Sequence, residues 1–282
     1  MGGSSLVDET GGLPSQPAPR LTEPAALAVA KGEAFLASKQ YQAAFEKFSH
    51  ALEKEPDNHQ ASLGLAEAQL GLRQFMEALS AFELAMQSES LQPKALQGRG
   101  ITLVMMGRDE LAEPLLRQAV ALDSSLWRAW NAMGRIYALK GETTRALASY
   151  DRALMANPRA AAVYNNRGLA LVSAKRYGEA EQSFRKALAA EPDLSVARMN
   201  LRLAIAWQGR YDEAIAELKR SNAPRVLNNI GFVAMERGDY STAKLFFTRA
   251  MEISPSYYPT AARNLEQLEN IRKMAQTPEA MS

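Results

Sequence analysis

Residues 127–160 read WRAWNAMGRIYALKGETTRALASYDRALMANPRA, and the following 34 residues, 161–194, read AAVYNNRGLALVSAKRYGEAEQSFRKALAAEPDL. Laid one above the other, Trp130, Met133, Gly134, Tyr137, Gly141, Ala146, Tyr150, Ala153 and Pro158 stand over Tyr164, Arg167, Gly168, Leu171, Lys175, Ala180, Phe184, Ala187 and Pro192. A fixed period of this length marks helix–turn–helix units stacked into a solenoid. Such an array offers long curved surfaces instead of an enclosed catalytic pocket, so the first expectation is a binding protein.

Outward from this stretch the frame holds through 25–58, 59–92, 93–126, 127–160 and 161–194, continues in a shortened copy at 195–223 and recovers at 224–257. The first helix of each unit carries apolar residues at its fourth, seventh, eighth and eleventh positions, which is one helical face. The second does so at positions 20, 24 and 27, as in Ala44, Phe48 and Ala51. Small residues at positions eight and twenty (Gly32 with Ala44, Gly168 with Ala180) suit backbones that cross at about 8–10 Å. Pro56, Pro158 and Pro192 fall after the second helix, where a missing N–H does no harm. The shortened copy runs into Ser221-Asn222-Ala223-Pro224, so its second helix is expected to be about one turn short.

The predicted fold is all-α: a right-handed solenoid of seven helix–turn–helix repeats over 25–257, closed by a capping helix over 258–275. In that last helix Ala262, Leu265, Leu268 and Ile271 form the inner face. Residues 1–24, rich in Gly, Ser and Pro, read as a flexible tether, and 276–282 as a disordered tail.

Charge is distributed unevenly. Residues 1–92 hold 6 Lys/Arg against 12 Asp/Glu, whereas 93–223 hold 20 against 13. An acidic third followed by a basic middle favours an electrostatically steered protein partner. The formal net charge of +2 is too small to argue for nucleic acid. There are no cysteines, hence no disulfide framework. No run of about 20 apolar residues spans a bilayer.

Chemistry-bearing motifs are absent. His50 and His59 are the two histidines; Glu46 lies one turn before His50, and no third ligand stands in register for a metal. No GxxxxGK[ST] or GxSxG string occurs. The expectation is a non-enzyme without cofactor or metal.

The slots resemble the tetratricopeptide repeat. Particular strings carry a narrower likeness: LWRAWNAMGR at 126–135, VYNNRGLAL at 163–171, NNIGFVAMERGDY at 228–240 and ISPSYYPTAARNLEQL at 253–268. Together with the shortened sixth repeat they resemble the TadD-type tetratricopeptide lipoproteins of the tight-adherence (Flp) pilus system. That resemblance implies a pilotin-like protein in the periplasm. It would be anchored to the outer membrane by a lipid on an N-terminal cysteine and would help the secretin channel assemble or localise. The resemblance further implies that Met1, followed by Gly2-Gly3-Ser4-Ser5, takes the place of that cysteine. The other reading is a general scaffold with soluble cytoplasmic partners.

In tetratricopeptide arrays the first helices line the concave groove. Candidate partner-binding residues there are Asn131, Arg135, Asn165, Asn166, Leu169, Val172, Asn200, Leu203, Trp207, Asn228, Asn229 and Phe232. A row of amides offers donors and acceptors to the backbone of an extended peptide; the same asparagines could instead bridge neighbouring helices. The apolar residues beside them suit a helix or strand with a few hydrophobic anchors, and Trp207 is the first choice for a hot spot, unless it packs between repeats. The N-terminal repeats hold Glu33 and Glu67 in the corresponding places, beside Val29 and Leu63, which disfavours a clamp for C-terminal carboxylates. Arg128 and Arg135 stand between the two regions.

Overall fold

The computed structural model describes residues 23–219, 221–254 and 258–274. Among these residues there are fifteen helices and no strand; each helix packs on the one before it except the thirteenth, which packs past the short twelfth onto the eleventh. The seven pairs are α1 (Ala25–Ala37) with α2 (Tyr41–Lys54), α3 (His59–Gly71) with α4 (Phe75–Ala85), α5 (Gln92–Met105) with α6 (Asp109–Leu122), α7 (Trp127–Leu139) with α8 (Thr143–Ala156), α9 (Ala161–Ser173) with α10 (Tyr177–Ala190), α11 (Ser195–Trp207) with α12 (Tyr211–Ala214), and α13 (Ala223–Glu236) with α14 (Tyr240–Glu252). A last helix, α15 (Pro259–Met274), packs on the seventh pair. Each first helix also touches the next first helix, so α7, α9, α11 and α13 line up along one face.

The turn inside every pair is built the same way. The fifteenth residue of each repeat adopts a left-handed conformation: Lys39, Arg73, Gly107, Gly141, Lys175, Gly209 and Gly238, with φ between 58 and 82°. In the first turn Lys39 N–H donates to the Leu36 carbonyl at 2.9 Å and Gln40 N–H to the Phe35 carbonyl at 2.8 Å. This pair of bonds is the Schellman arrangement, which closes the last carbonyls of a helix before the chain reverses.

The core is a column of large position-24 side chains, all but one of them aromatic rings. Phe48, Phe82, Leu116, Tyr150, Phe184 and Phe247, all at position 24, are essentially inaccessible, as are the alanines at positions 20 and 27. The glycines at position eight are explained by these rings more than by the alanines expected to face them. A Cβ on Gly32 would lie 2.7 Å from the Phe48 ring, and one on Gly168 would lie 2.5 Å from the Phe184 ring. Emptying such a slot, as in Phe184→Ala, costs about 3–5 kcal/mol by lost burial and the cavity left behind.

The sixth repeat departs from this plan further than expected. Its second helix is a single four-residue turn, Tyr211–Ala214, and not a helix one turn short. The cause lies across the pair. Position eight holds Arg202 instead of Gly or Ala, and position 24 holds Leu218, which is only partly buried. An arginine leaves no room in the slot that the position-24 side chain fills in the other repeats. The guanidinium instead turns to the unwinding chain and donates to the carbonyls of Ala214 and Ala216, at 2.6 and 2.8 Å. Glu217 follows in a left-handed conformation.

The single remaining turn is held from both sides. On one side, Glu181 of α10 accepts from Gln208 at 2.8 Å and from Arg210 at 2.7 Å. Burial pushes the Glu181 carboxyl up, but its bonds from Gln208, Arg185 and Arg210 outweigh that and hold it below the ordinary range. On the other, the Tyr211 hydroxyl donates to Asp239, and Arg237 bonds both Tyr211 and Asp239. Glu113 joins successive repeats in the same manner through Lys140, at 2.8 Å.

The ends of the array differ in detail from the expectation. The tether predicted over 1–24 lies outside the described residues except for Glu23 and Pro24, and these two belong to the array. The Glu23 carboxylate bonds Lys31 of α1 at 2.6 Å and Lys47 of α2 at 2.8 Å, and these two ammonium groups hold its pKa down at about 2. His50 sits 3.3 Å from the Glu23 carbonyl and 3.5 Å from Glu53, not beside Glu46, which accepts from Gln42. At the far end α15 buries Ala261 and Leu268, with Leu265 and Ile271 partly covered, while Ala262 lies on the flank. Seven residues are nearly two whole turns, so Ala261 and Leu268 share a face that Ala262 misses. The tail predicted over 276–282 lies outside the described residues.

Candidate protein-binding groove

Because the first helices pack directly on one another, their exposed positions form one continuous lining. The amides in it are tied together. Asn166 Nδ2 donates to Asn131 Oδ1 at 3.0 Å, Asn200 Nδ2 to Asn165 Oδ1 at 2.9 Å, and Asn264 Nδ2 of α15 to Asn228 Oδ1 at 2.9 Å. The rung between the second and third of these pairs has Met199 in place of an asparagine, 4.0 Å from Asn229 Nδ2. The asparagines therefore bridge neighbouring helices. Each of these pairs engages one donor of one amide and one lone pair of the other, while every amide has two donors and two lone pairs, so the half-buried Asn131, Asn166 and Asn200 keep hydrogen-bonding capacity for a partner, as does Asn229.

Two clefts gather the apolar candidates. Leu203 and Trp207 of α11 with Asn228, Asn229, Phe232 and Val233 of α13 and Asn264 of α15 line a cleft of about 370 Å³. Phe232 is 42% exposed there. Trp207 is half-buried because its indole stacks on Tyr177, with ring centres 5.2 Å apart and planes 5° from parallel. Packing between repeats and exposure in the cleft thus coexist in one side chain. The second cleft, about 210 Å³, lies between α7 and α9 and is lined by Arg135, Leu139, Asn166 and Leu169 beside the edge of Tyr150. Val172 belongs to neither cleft; it packs against the core around Leu171 and Phe184. Asn165 and Asn228 are buried.

A third hollow, about 420 Å³, opens at the N-terminal end between Glu33, Gln60, Glu67, Lys94, Gln97 and Arg128. Gln60 donates to Glu33 at 2.8 Å. Burial raises the Glu67 carboxyl above the ordinary range, and the nearby charges of Arg128 and Lys94 only partly oppose that.

Sequence profiles described as tetratricopeptide repeat match residues 35–100, 98–154, 140–195, 171–225 and 224–257. The chain belongs to the tetratricopeptide-repeat family. Tetratricopeptide repeats make it a protein-binding scaffold. No curated protein matches it. Among solved structures it is similar to the Cut9–Hcn1 hetero-tetramer of the APC/C (20% identity, TM-score 0.61), covering 88% of this chain and 43% of that one. It is also similar to a human IFIT1 dimer with m7Gppp-AAAA (19%, 0.61, 92% and 67% covered) and to a tetratricopeptide repeat protein from Parabacteroides merdae (16%, 0.54, 87% and 98% covered). Likeness at these identities establishes the fold. Among the described residues of this tetratricopeptide array, no group of three His, Cys, Asp or Glu residues is placed to hold a metal, and no helix is long and apolar enough to cross a membrane.

The helical frame brings in groove residues that sequence reasoning passed over. Leu139, 75% exposed, sits one position beyond those counted as groove-facing. Asn264 continues the amide row into α15, which the sequence marked only as a polar cap. Tyr177 supports Trp207 from the start of a second helix, and nothing in the repeat pattern flags that pairing.

Proposed function

We propose that this array is an assembly factor of a tight-adherence (Flp) pilus system, acting as a pilotin-like periplasmic lipoprotein at the outer membrane. On this reading it captures an extended segment of the secretin, or of another pilus component, in the concave groove. One structural observation carries the binding half of the proposal: the cleft between α11 and α13, where Phe232 is exposed, Trp207 is held by Tyr177, and half-bonded amides line the wall. A rigid aromatic beside hydrogen-bonding groups is the usual composition of an interface hot spot. The sequence likeness of residues 126–135, 163–171, 228–240 and 253–268 to the TadD-type lipoproteins supports the choice of system.

The test is capture from detergent-solubilised envelopes of a pilus-bearing host, with the retained proteins identified by mass spectrometry. The reading expects the secretin or another pilus component to be retained and to be lost with Trp207→Ala. Retention of soluble cytoplasmic proteins alone would overturn the pilus assignment and leave a scaffold with other clients.

A further inference from the structure

Lys94, Arg128 and Arg135 project from the first helices of the third and fourth repeats, and all three are exposed. Among the described residues, none of them has an ion-pair partner. By contrast, Glu113, Glu181 and Glu23 each engage two cations elsewhere in the array. The cations are bounded on one side by Glu33 and Glu67 and on the other by the apolar cleft holding Leu139 and Leu169. Charge along the groove therefore runs acidic, basic, apolar.

From this order we infer that the segment bound in the groove is extended, directional, and acidic at one end only. It carries one apolar anchor for the Leu139–Leu169 cleft and a second for the Trp207–Phe232 cleft. A block of a few carboxylates lies beyond the first anchor, against Arg135, Arg128 and Lys94. The inference rests on the concave-groove reading above and specifies its ligand. The two clefts are two helix spacings apart, about 16–20 Å when neighbouring helices pack at 8–10 Å. At roughly 3.3 Å per residue an extended segment spaces its anchors by about five to six residues. The half-bonded amides between the clefts meet its backbone. Glu67 and Glu33 set the length of the acidic block, because a carboxylate reaching them meets like charge.

Fluorescence polarisation with labelled synthetic peptides tests this. The probe has three glutamates, a leucine, five serine or threonine residues and a phenylalanine; its counterparts replace glutamate by lysine or shorten the spacer to two residues. The glutamate peptide is expected to bind about tenfold more tightly than the lysine peptide at low salt, with several exposed charge contacts contributing, and more tightly than the short-spacer peptide. The charge preference shrinks as salt is added. Arg128→Glu with Arg135→Glu reverses it, with circular dichroism unchanged. A lysine peptide that binds as well as the glutamate peptide, with both lost in Trp207→Ala, would overturn the charge inference and leave the groove reading standing. Equal binding of the short-spacer peptide would overturn the two-anchor geometry. Binding of none of the peptides would overturn the groove reading as well.

Discussion

Arg202 Nη1 lies 2.6 Å from the carbonyl oxygen of Ala214, the residue that ends the only one-turn helix among the described residues. The same nitrogen reaches Ala216 at 2.8 Å. One side chain thus occupies the slot that the position-24 side chain fills in the other repeats and caps carbonyls of the unwinding chain. Arg202→Ala is expected to destabilise the protein by roughly 1.5–3 kcal/mol, the range for a hydrogen bond to a charged group. Urea unfolding checks this; an unchanged midpoint would mean that water replaces the guanidinium without penalty.

Three of the seven left-handed turn residues are not glycine: Lys39, Arg73 and Lys175. A side chain there crowds the backbone, and glycine relieves it while adding freedom to the unfolded chain. The net gain for Lys39→Gly or Lys175→Gly is expected to be about 0.5–1 kcal/mol each. Gly141→Ala should lose a similar amount. Thermal melts of the single variants and of the triple glycine variant measure both, and the gains should add because the turns are far apart.

The Asn165–Asn200 bond gives a cleaner measure of the amide row, since Asn165 is buried. Asn200→Ala leaves the Asn165 oxygen without that donor and should cost about 1–3 kcal/mol. The double variant should cost less than the sum of the singles, with a coupling of about 0.5–1.5 kcal/mol. Additive losses would show that the two amides act independently.

Glu67 makes stability depend on pH in the direction opposite to most carboxylates. Burial raises its folded-state pKa above the unfolded value, despite Arg128 and Lys94 nearby and with Glu33 adding to the rise. Between those two pKa values the folded state binds more protons, so this contribution to stability falls as pH rises and the penalty is complete above the folded-state pKa. Glu67→Gln is therefore expected to be the more stable protein at neutral pH, with the difference closing as pH falls into the ordinary carboxylate range. A gap that widens on acidification would contradict the burial argument.

Much of this was legible from the 34-residue period. Pairing of helices and the buried column at positions 20, 24 and 27 follow from spacing alone. What escaped depends on contacts between elements. Gly32 and Gly168 were read as facing alanines, whereas the rings of Phe48 and Phe184 lie against them. The break in the sixth repeat was anticipated from its length, yet its extent follows from Arg202, a charged residue visible in a slot that is small in every other repeat. The asparagine pairs are separated by 35 or 36 residues, one repeat plus one or two positions, a relation that becomes meaningful only when adjacent helices are seen side by side. In α15 the expected Leu265, Leu268 and Ile271 are covered, and Ala261 is the alanine buried with them where Ala262 was expected.

The one-turn α12 also places the main apolar cleft at a seam. Leu203 and Trp207 come from the helix before it, Phe232 and Val233 from the helix after it. In a stacked array, cohesion is a sum of nearest-neighbour contacts, and this junction has lost most of one helix from that sum. A ligand seated in the cleft touches both sides and acts as a suture. Its binding energy adds to the cohesion of the array, so occupancy of the cleft and the mechanical continuity of the two halves rise and fall together.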